Sequence, residues 1–452
     1  MNLERKAYRH LLEWKKNPDR KPLIIRGARQ VGKSTLVEEF SKEYSHFISL
    51  NLEKPKDRVL FEELESTKDI VNAIFLRSGM LQDGGATLLF IDEIQESPKA
   101  IQQLRYFFEE FPHLHVIAAG SLLEFALRKV ASFPVGRVEQ MVLHPFDFDE
   151  FLLALNRKDI LKEMDTIPVN AYAHNTILGL FHQYAIIGGM PEIVKRYVAE
   201  DSLANLSPVY DSLWQSYRDD VEKYASNATE RKIIRHIIDT AAAEKDRITL
   251  AGFGNSNYRS REVGESIRAL DLARIIQLIY PTSCLQPPVM PDLKRKPRLQ
   301  FLDTGLLNYS LGIQAEMIGI KDLNNFYKGK IIQQLVAQQL QAQMNSLIYK
   351  PVFWVREEAN SSSEVDLVFQ YRQYVVPIEI KSGEQGRLRS LHQFMERTNH
   401  RYAIRLLANH FSVEKVKTPN GTPYLLMNMP YYLATKIPQY ADWFISNYNM
   451  NE

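Results

Sequence analysis

The stretch "KPLIIRGARQVGKSTLVEEFSKEY", residues 21–44, decides the fold of the amino-terminal part of the chain. Leu23, Ile24 and Ile25 read as a short buried strand, and a helix is expected from about Ser34 to Tyr44. Between them lies Gly27-Ala28-Arg29-Gln30-Val31-Gly32-Lys33-Ser34-Thr35. This is the Gly-x-x-x-x-Gly-Lys-Ser spacing in its required strand–loop–helix setting. Glycines let successive backbone N–H groups wrap a phosphate without Cβ clashes, and the helix N-terminus adds partial positive charge. Residues 27–35 are therefore the expected ATP cradle. Lys33 should reach the β- and γ-phosphates and assist transfer, and the Ser34 hydroxyl should ligate Mg²⁺.

The complementary acid is expected at the end of a buried strand. In "TLLFIDEIQE", residues 87–96, Thr87 to Ile91 form a nearly all-apolar run suited to a central parallel strand. Asp92 falls at its carboxyl end, where α/β sheets place ligands. Asp92 is assigned to Mg²⁺ through water, and Glu93 to the base that polarises attacking water. A third strand, His115 to Ala119, ends in Gly120-Ser121, which makes Ser121 the candidate γ-phosphate sensor. In "FPVGRVEQMVLHPFDFDEFL", residues 133–152, Arg137 precedes another strand. It would supply charge to a phosphoryl transition state in its own chain or on a neighbouring subunit; a surface salt bridge is the competing reading.

At 452 residues the chain exceeds one typical core, and several units are expected. A net charge of +2 neither demands nor excludes a nucleic-acid partner, so the placement of basic residues must decide. The single cysteine, Cys284, excludes an internal disulfide and fits a reducing cytoplasm. The first residues, "MNLERKAYRHLLEWKKN", lack the apolar core of a signal peptide. No run approaches the ~20 apolar residues of a membrane span.

The ordered set "IIRGARQVGKSTL", "LLFIDEIQ", "AAGSLLE", "PVGRV", "HPFDFDEFL", "GGMPEIV", "FLDTGLLNYSLG" and "EVDLVF…VVPIEIKSG" resembles one family. It comprises bacterial and archaeal AAA-type ATPases that end in a restriction-endonuclease-like domain of unknown function. The fold expected is α/β: a P-loop NTPase parallel sheet at 1–156, a helical lid at 157–228, a winged-helix domain at 229–303 and a restriction-endonuclease-like α/β domain at 304–452.

In the middle, "RKIIRHIIDTAAAE" reads as one helix and "RITLAGFG" as a second short element. A third helix, capped by Ser260, carries Val263, Ile267 and Leu270 on one face. A strand pair, "IIQLIY" and "PRLQFLD", follows. Lys294, Arg295, Lys296 and Arg298 form a basic cluster suited to DNA or RNA. Glu262, Glu265 and Asp271 on the third helix would repel phosphates, so the alternative is an interdomain adaptor, in a chain that recognises a protein partner.

The stretch "EVDLVFQYRQYVVPIEIKSG", residues 364–383, reads as two strands and a polar turn. Alternation puts Glu364 and Asp366 on one face, and Glu379 and Lys381 on one face of the next strand. Asp366 and Glu379 would hold Mg²⁺ or Mn²⁺, with Lys381 orienting water, the Asp…Glu-x-Lys pattern of restriction-endonuclease-like nucleases. Family resemblance places a glutamate where this chain has Gln333, a neutral amide; Glu364 is the candidate substitute. The competing reading is a non-catalytic relic in an ATP-dependent switch, its carboxylates paired with Lys381.

Overall fold

The computed structural model describes residues 3–449 apart from 81–85, 128–132, 204, 224, 226, 245, 321, 324–328, 345, 347–348, 359–360 and 382–387. The last two residues of the 364–383 stretch thus lie outside the described residues. Strands β1 (Leu23–Arg26), β2 (His46–Asn51), β3 (Thr87–Asp92), β4 (His115–Ala119) and β5 (Glu139–Val142) form one parallel sheet, in the order β2-β3-β4-β1-β5. Their apolar runs are explained by burial of both faces. Leu23, Ile25, Leu88, Phe90 and Ile117 pack with Leu11, Trp14, Leu36 and Phe40 on one side. Ile24, Leu89, Ile91 and Ala118 pack with Ile70, Ile74, Ile101 and Leu104 on the other. The helix expected from Ser34 spans Lys33–Phe40 and closes with a 3₁₀ turn, Ser41–Glu43.

Helices Lys158–Met164, His174–Ile187, Pro191–Glu200 and Ser207–Glu222 follow, within the span 157–228 where helices are expected. Helix Ala228–Thr240 comes next. The expected second element reduces to one 3₁₀ turn, Phe253–Asn255, and helix Ser260–Leu272 buries Val263, Ile267 and Leu270. Ser260 is its first helical residue rather than its cap; Glu262 instead accepts the Arg259 backbone N–H at 3.3 Å. Strands β6 (Ile276–Ile279) and β8 (Arg298–Phe301) pair antiparallel. Between them β7 (Pro281–Thr282) leaves the hairpin and pairs parallel with β9 (Val352–Glu358).

That pairing makes β7 the edge of a second, mixed sheet. It continues through β10 (Ser361–Tyr371), β11 (Tyr374–Ile380), β12 (Tyr402–Leu407), β13 (Ser412–Lys417) and β14 (Pro423–Pro430), in the order β13-β14-β12-β11-β10-β9-β7. The far edge, β13, exposes Glu414, Lys415 and Lys417, charges that discourage edge-to-edge pairing.

Helix Lys330–Met344 sits at the junction of all these parts, and its buried polar groups are amides. Gln334 exchanges hydrogen bonds with the Phe301 backbone at 3.0 and 2.8 Å. Gln338 accepts from Thr304 N at 3.0 Å, Gln339 accepts from Phe148 N at 2.7 Å, and Gln343 donates to Asp147 at 2.7 Å. Among the described residues no helix is long and apolar enough to cross a membrane.

Candidate functional site

The loop after β1 has the backbone that its glycines permit. Gly27 (φ 146°), Gln30 (φ 61°) and Gly32 (φ 92°) all take positive φ. A Cβ on Gly27 would stand 2.3 Å from the Leu143 carbonyl, so the turn admits no side chain there. Gly32 directly precedes helix Lys33–Phe40, whose free N–H groups face the loop. Lys33 folds over the loop and donates to the Gly27 and Ala28 carbonyls at 3.1 and 2.8 Å. Burial pulls its ammonium down to about 8, against the pull of Glu93 and Asp92. Ser34 Oγ donates to Asp92 Oδ2 at 2.7 Å, joining the loop to the end of β3. These residues fit Mg²⁺–ATP: a glycine-permitted anion cradle, a buried cation and a hydroxyl–carboxylate pair. Val31, Thr35 and Arg29 complete the loop and helix start. Lys33→Ala is expected to lower ATP affinity about 10- to 100-fold, the worth of one charge-assisted hydrogen bond. Calorimetric titration checks this, and unchanged affinity in a folded variant refutes the role.

Glu93 follows Asp92 with φ 51°, a left-handed conformation that a glutamate adopts at some cost. Gln95 Nε2 holds its carboxylate at 2.6 Å. Burial pushes the Glu93 carboxyl up, which suits a proton acceptor working near neutrality. Ser121 is buried just beyond β4, the strand between β1 and β3, and so lies between the loop and Asp92. Arg137 is not brought to the loop of its own chain. It stands before the amino end of β5, which runs parallel to β1, and pairs with Glu109 at 3.0 Å. The surface salt bridge is what this structure holds, and a role within the same chain lacks the geometry.

Three partners of the loop escape the sequence reading. Arg5 donates to Val31 O at 2.8 Å and His144 O at 2.7 Å, and pairs with Glu150 at 3.1 Å. It thereby fixes the back of the loop. Arg29 pairs with Asp220, and its carbonyl accepts from Tyr217 Oη at 3.0 Å. The cleft in front of the loop encloses about 1660 Å³ and is bordered by Tyr8, Arg29, Lys33, Glu93, Pro191 and Lys195, among others.

In the second sheet, Asp366, Glu379 and Lys381 do converge. Asp366 Oδ2 accepts Ile380 N at 2.7 Å, and Glu379 pairs with Lys381 at 2.8 Å. Glu379 is 1% exposed, and its Oε2 has no hydrogen-bond partner among the described residues. Burial, with Asp366 alongside, pushes its carboxyl well up. Gln333 Nε2 donates to Asp366 Oδ1 at 2.7 Å, so its amide presents a donor where a metal needs an acceptor. Two expectations are corrected here. Arg298 is not part of a free basic surface: it turns inward, pairs with Glu364, donates to Asp366 O at 3.3 Å and lies 4.2 Å over the Phe353 ring. Glu364 is no spare metal ligand either, because Arg298 and Arg247 (3.3 Å) neutralise it. Among the described residues no group of three or more His, Cys, Asp or Glu side chains stands ready for a metal ion.

Residues 19–152 match the family model described as an AAA domain. Residues 178–317 and 328–423 match two domains of unknown function, DUF8612 and DUF4143. The amino-terminal sheet and its loop are thus an AAA-type P-loop domain, and such a domain binds ATP. Among solved structures the chain is similar to the Walker-type ATPase PABY2304 of Pyrococcus abyssi. Identity is 13% over 69% of this chain and 96% of that one, with a TM-score of 0.44. It is also similar to PCH-2 of C. elegans, with 14% identity over 42% and 58% of the two chains and a TM-score of 0.24. No curated protein matches the chain.

Proposed function

We propose that the protein is an ATP hydrolase working as a switch. Turnover in the amino-terminal cleft repositions the hairpin module and the second sheet on a macromolecular partner, and the carboxylates of that sheet do no chemistry. The observation that carries the hydrolase reading is the Ser34–Asp92 hydrogen bond with Glu93 held beside it. Ser34 and Asp92 would hold Mg²⁺, which supplies charge neutralisation at the β- and γ-phosphates. Lys33 binds the phosphates, Glu93 accepts the proton of water, Ser121 reports on the γ-phosphate, and Arg137 would act on a neighbouring subunit. The unit boundaries proposed are 1–156, 157–228, 229–303 and 304–452, and the lone cysteine supports a cytoplasmic setting.

The non-catalytic reading of the nuclease-like sheet rests on Gln333 and Arg298, which meet Asp366 and Glu364 with donors rather than leave room for a cation. For the winged-helix-like segment, exposed Lys294 and Lys296 favour a nucleic-acid surface. Arg261 is tied to Glu265, and Asp271 to Lys350, which favours an adaptor face on helix Ser260–Leu272.

Phosphate release by the full chain, with and without duplex DNA, single-stranded DNA or RNA, tests the proposal beside a cleavage assay in Mg²⁺ or Mn²⁺. ATP turnover without strand cleavage is expected. Absent turnover refutes the hydrolase, and cleavage lost in Asp366→Ala refutes the non-catalytic sheet. If the hairpin loop binds phosphates, Lys294→Ala with Lys296→Ala lowers affinity and reduces the salt slope by about 1 for each phosphate no longer neutralised. Fluorescence anisotropy at several salt concentrations measures this, and a parent that binds no nucleic acid leaves the protein-adaptor role.

A further inference from the structure

Arg29 belongs to the phosphate loop, yet it is tied twice to a helix outside the parallel sheet. Its carbonyl accepts from Tyr217 Oη at 3.0 Å, and its guanidinium pairs with Asp220. Both partners lie on helix Ser207–Glu222. Asp220 is 4% exposed, so its carboxylate depends on a counterion. A second cation, Lys223, approaches the same oxygen at 3.4 Å from a more exposed position. The Arg29 side chain also borders the cleft that holds Lys33, Ser34 and Glu93. Its charge acts on Lys33, and that of Glu93 acts on it.

We propose that Arg29 is a nucleotide sensor built into the loop: it holds Asp220 when no γ-phosphate is present and exchanges Asp220 for the γ-phosphate when ATP binds. This rests on the reading of the cleft as an ATP site. A guanidinium suits such an exchange, because its planar fork donates to either oxyanion with the same hydrogen-bond geometry. Asp220 then keeps Lys223 as its remaining cation, and helix Ser207–Glu222 is left with only the Tyr217 hydroxyl of its two ties to Arg29. The same helix holds the next module through Arg218–Asp239 at 2.5 Å and Glu222–Arg235. It also meets two further segments, through Tyr210 Oη to Ile187 O at 2.7 Å and Asp211 to Tyr309 Oη at 2.8 Å. Release at Arg29 is thereby felt at helix Ala228–Thr240, far along the chain from the loop.

The test is calorimetric titration of Mg²⁺–ATP and Mg²⁺–ADP into the full chain carrying Glu93→Gln. Adding Arg29→Ala is expected to weaken ATP about tenfold and leave ADP nearly unchanged, the worth of one lost charge-assisted bond. Adding Asp220→Asn is expected to tighten ATP relative to ADP several-fold, because Arg29 no longer has to leave a carboxylate. A structural tie would instead shift both nucleotides by the same factor, or neither, in both variants, and that result overturns the sensor. If Arg29→Ala does not fold, Asp220→Asn decides by the same ratio. A background protein that binds neither nucleotide overturns the ATP-site reading itself, whereas ordinary binding with an unaltered ATP-to-ADP ratio overturns the sensor alone.

Discussion

Glu93→Gln is expected to bind ATP as the parent does and to hydrolyse it about 10²–10⁴-fold more slowly. The amide has the size of the carboxylate, and its oxygen can accept the same hydrogen bond from Gln95 Nε2. The left-handed backbone at Glu93 is unaffected by the change, so the side chain keeps its direction. What is lost is the capacity to take a proton from water. The pH profile separates this from a packing defect. Burial raises the Glu93 carboxyl, so the parent should lose activity on acidification at a pH above the usual glutamate range. The variant should lack that acid limb. Single-turnover phosphate release measures both, and a variant that turns over at the parent rate removes Glu93 from the role of base.

Asp303→Ala is expected to destabilise the chain by about 3–5 kcal/mol, the sum of two or more orphaned buried donors. Asp303 is fully buried where three segments meet. Its carboxylate accepts Gly189 N at 2.6 Å, Leu306 N at 3.1 Å and Gln338 Nε2 at 3.4 Å. The backbones are too close to rearrange: a Cβ on Gly305 would lie 2.0 Å from Ile187 O, and one on Gly189 2.0 Å from Phe146 O. Burial raises the Asp303 carboxyl to about 6. A carboxyl raised in the fold binds more protons there than in the unfolded chain. Its contribution is therefore fully present below the unfolded value and lost as pH rises through about 6. The penalty of Asp303→Ala should accordingly be larger at pH 5 than at pH 8. Urea titration of parent and variant at both pH values measures it, and equal midpoints would refute the anchoring role.

The nucleotide side of the protein is legible in the sequence because its information is local. A strand, a glycine-bounded loop and a helix follow one another within 21–44, and Asp92 and Glu93 directly end an apolar run. Period-two alternation likewise suffices to bring Asp366, Glu379 and Lys381 together. Pairings between distant segments are not legible. Arg29 and Asp220 are 191 positions apart, and Gly189 and Asp303 are 114 apart; a single sequence says nothing about such pairs. Arg298 shows how neighbourhood misleads. Proximity in the sequence groups it with Lys294 and Lys296, but it opens β8, and the strand carries it away from the loop towards Glu364. Arg137 misleads in the same way: the sequence sets it before a strand, and only the parallel pairing of β5 with β1 reveals that this end lies away from the loop.

The amide-bearing helix Lys330–Met344 has a consequence for how the protein can be taken apart. Gln334, Gln338, Gln339 and Gln343 meet backbone and side-chain groups contributed by residues as distant as Asp147, Phe148 and Phe301. Amides do not titrate and recruit no counterions, so salt does not loosen these glutamine contacts as it would ion pairs. Excision does what salt cannot. A fragment beginning after Asp303 would carry Gln334, Gln339 and Gln343 shaped for absent partners, beside Leu335, Val336 and Leu340 of its own core. Such a fragment is an adhesive remnant rather than a smaller protein. What resembles a string of exchangeable modules along the sequence is, in three dimensions, a single casting.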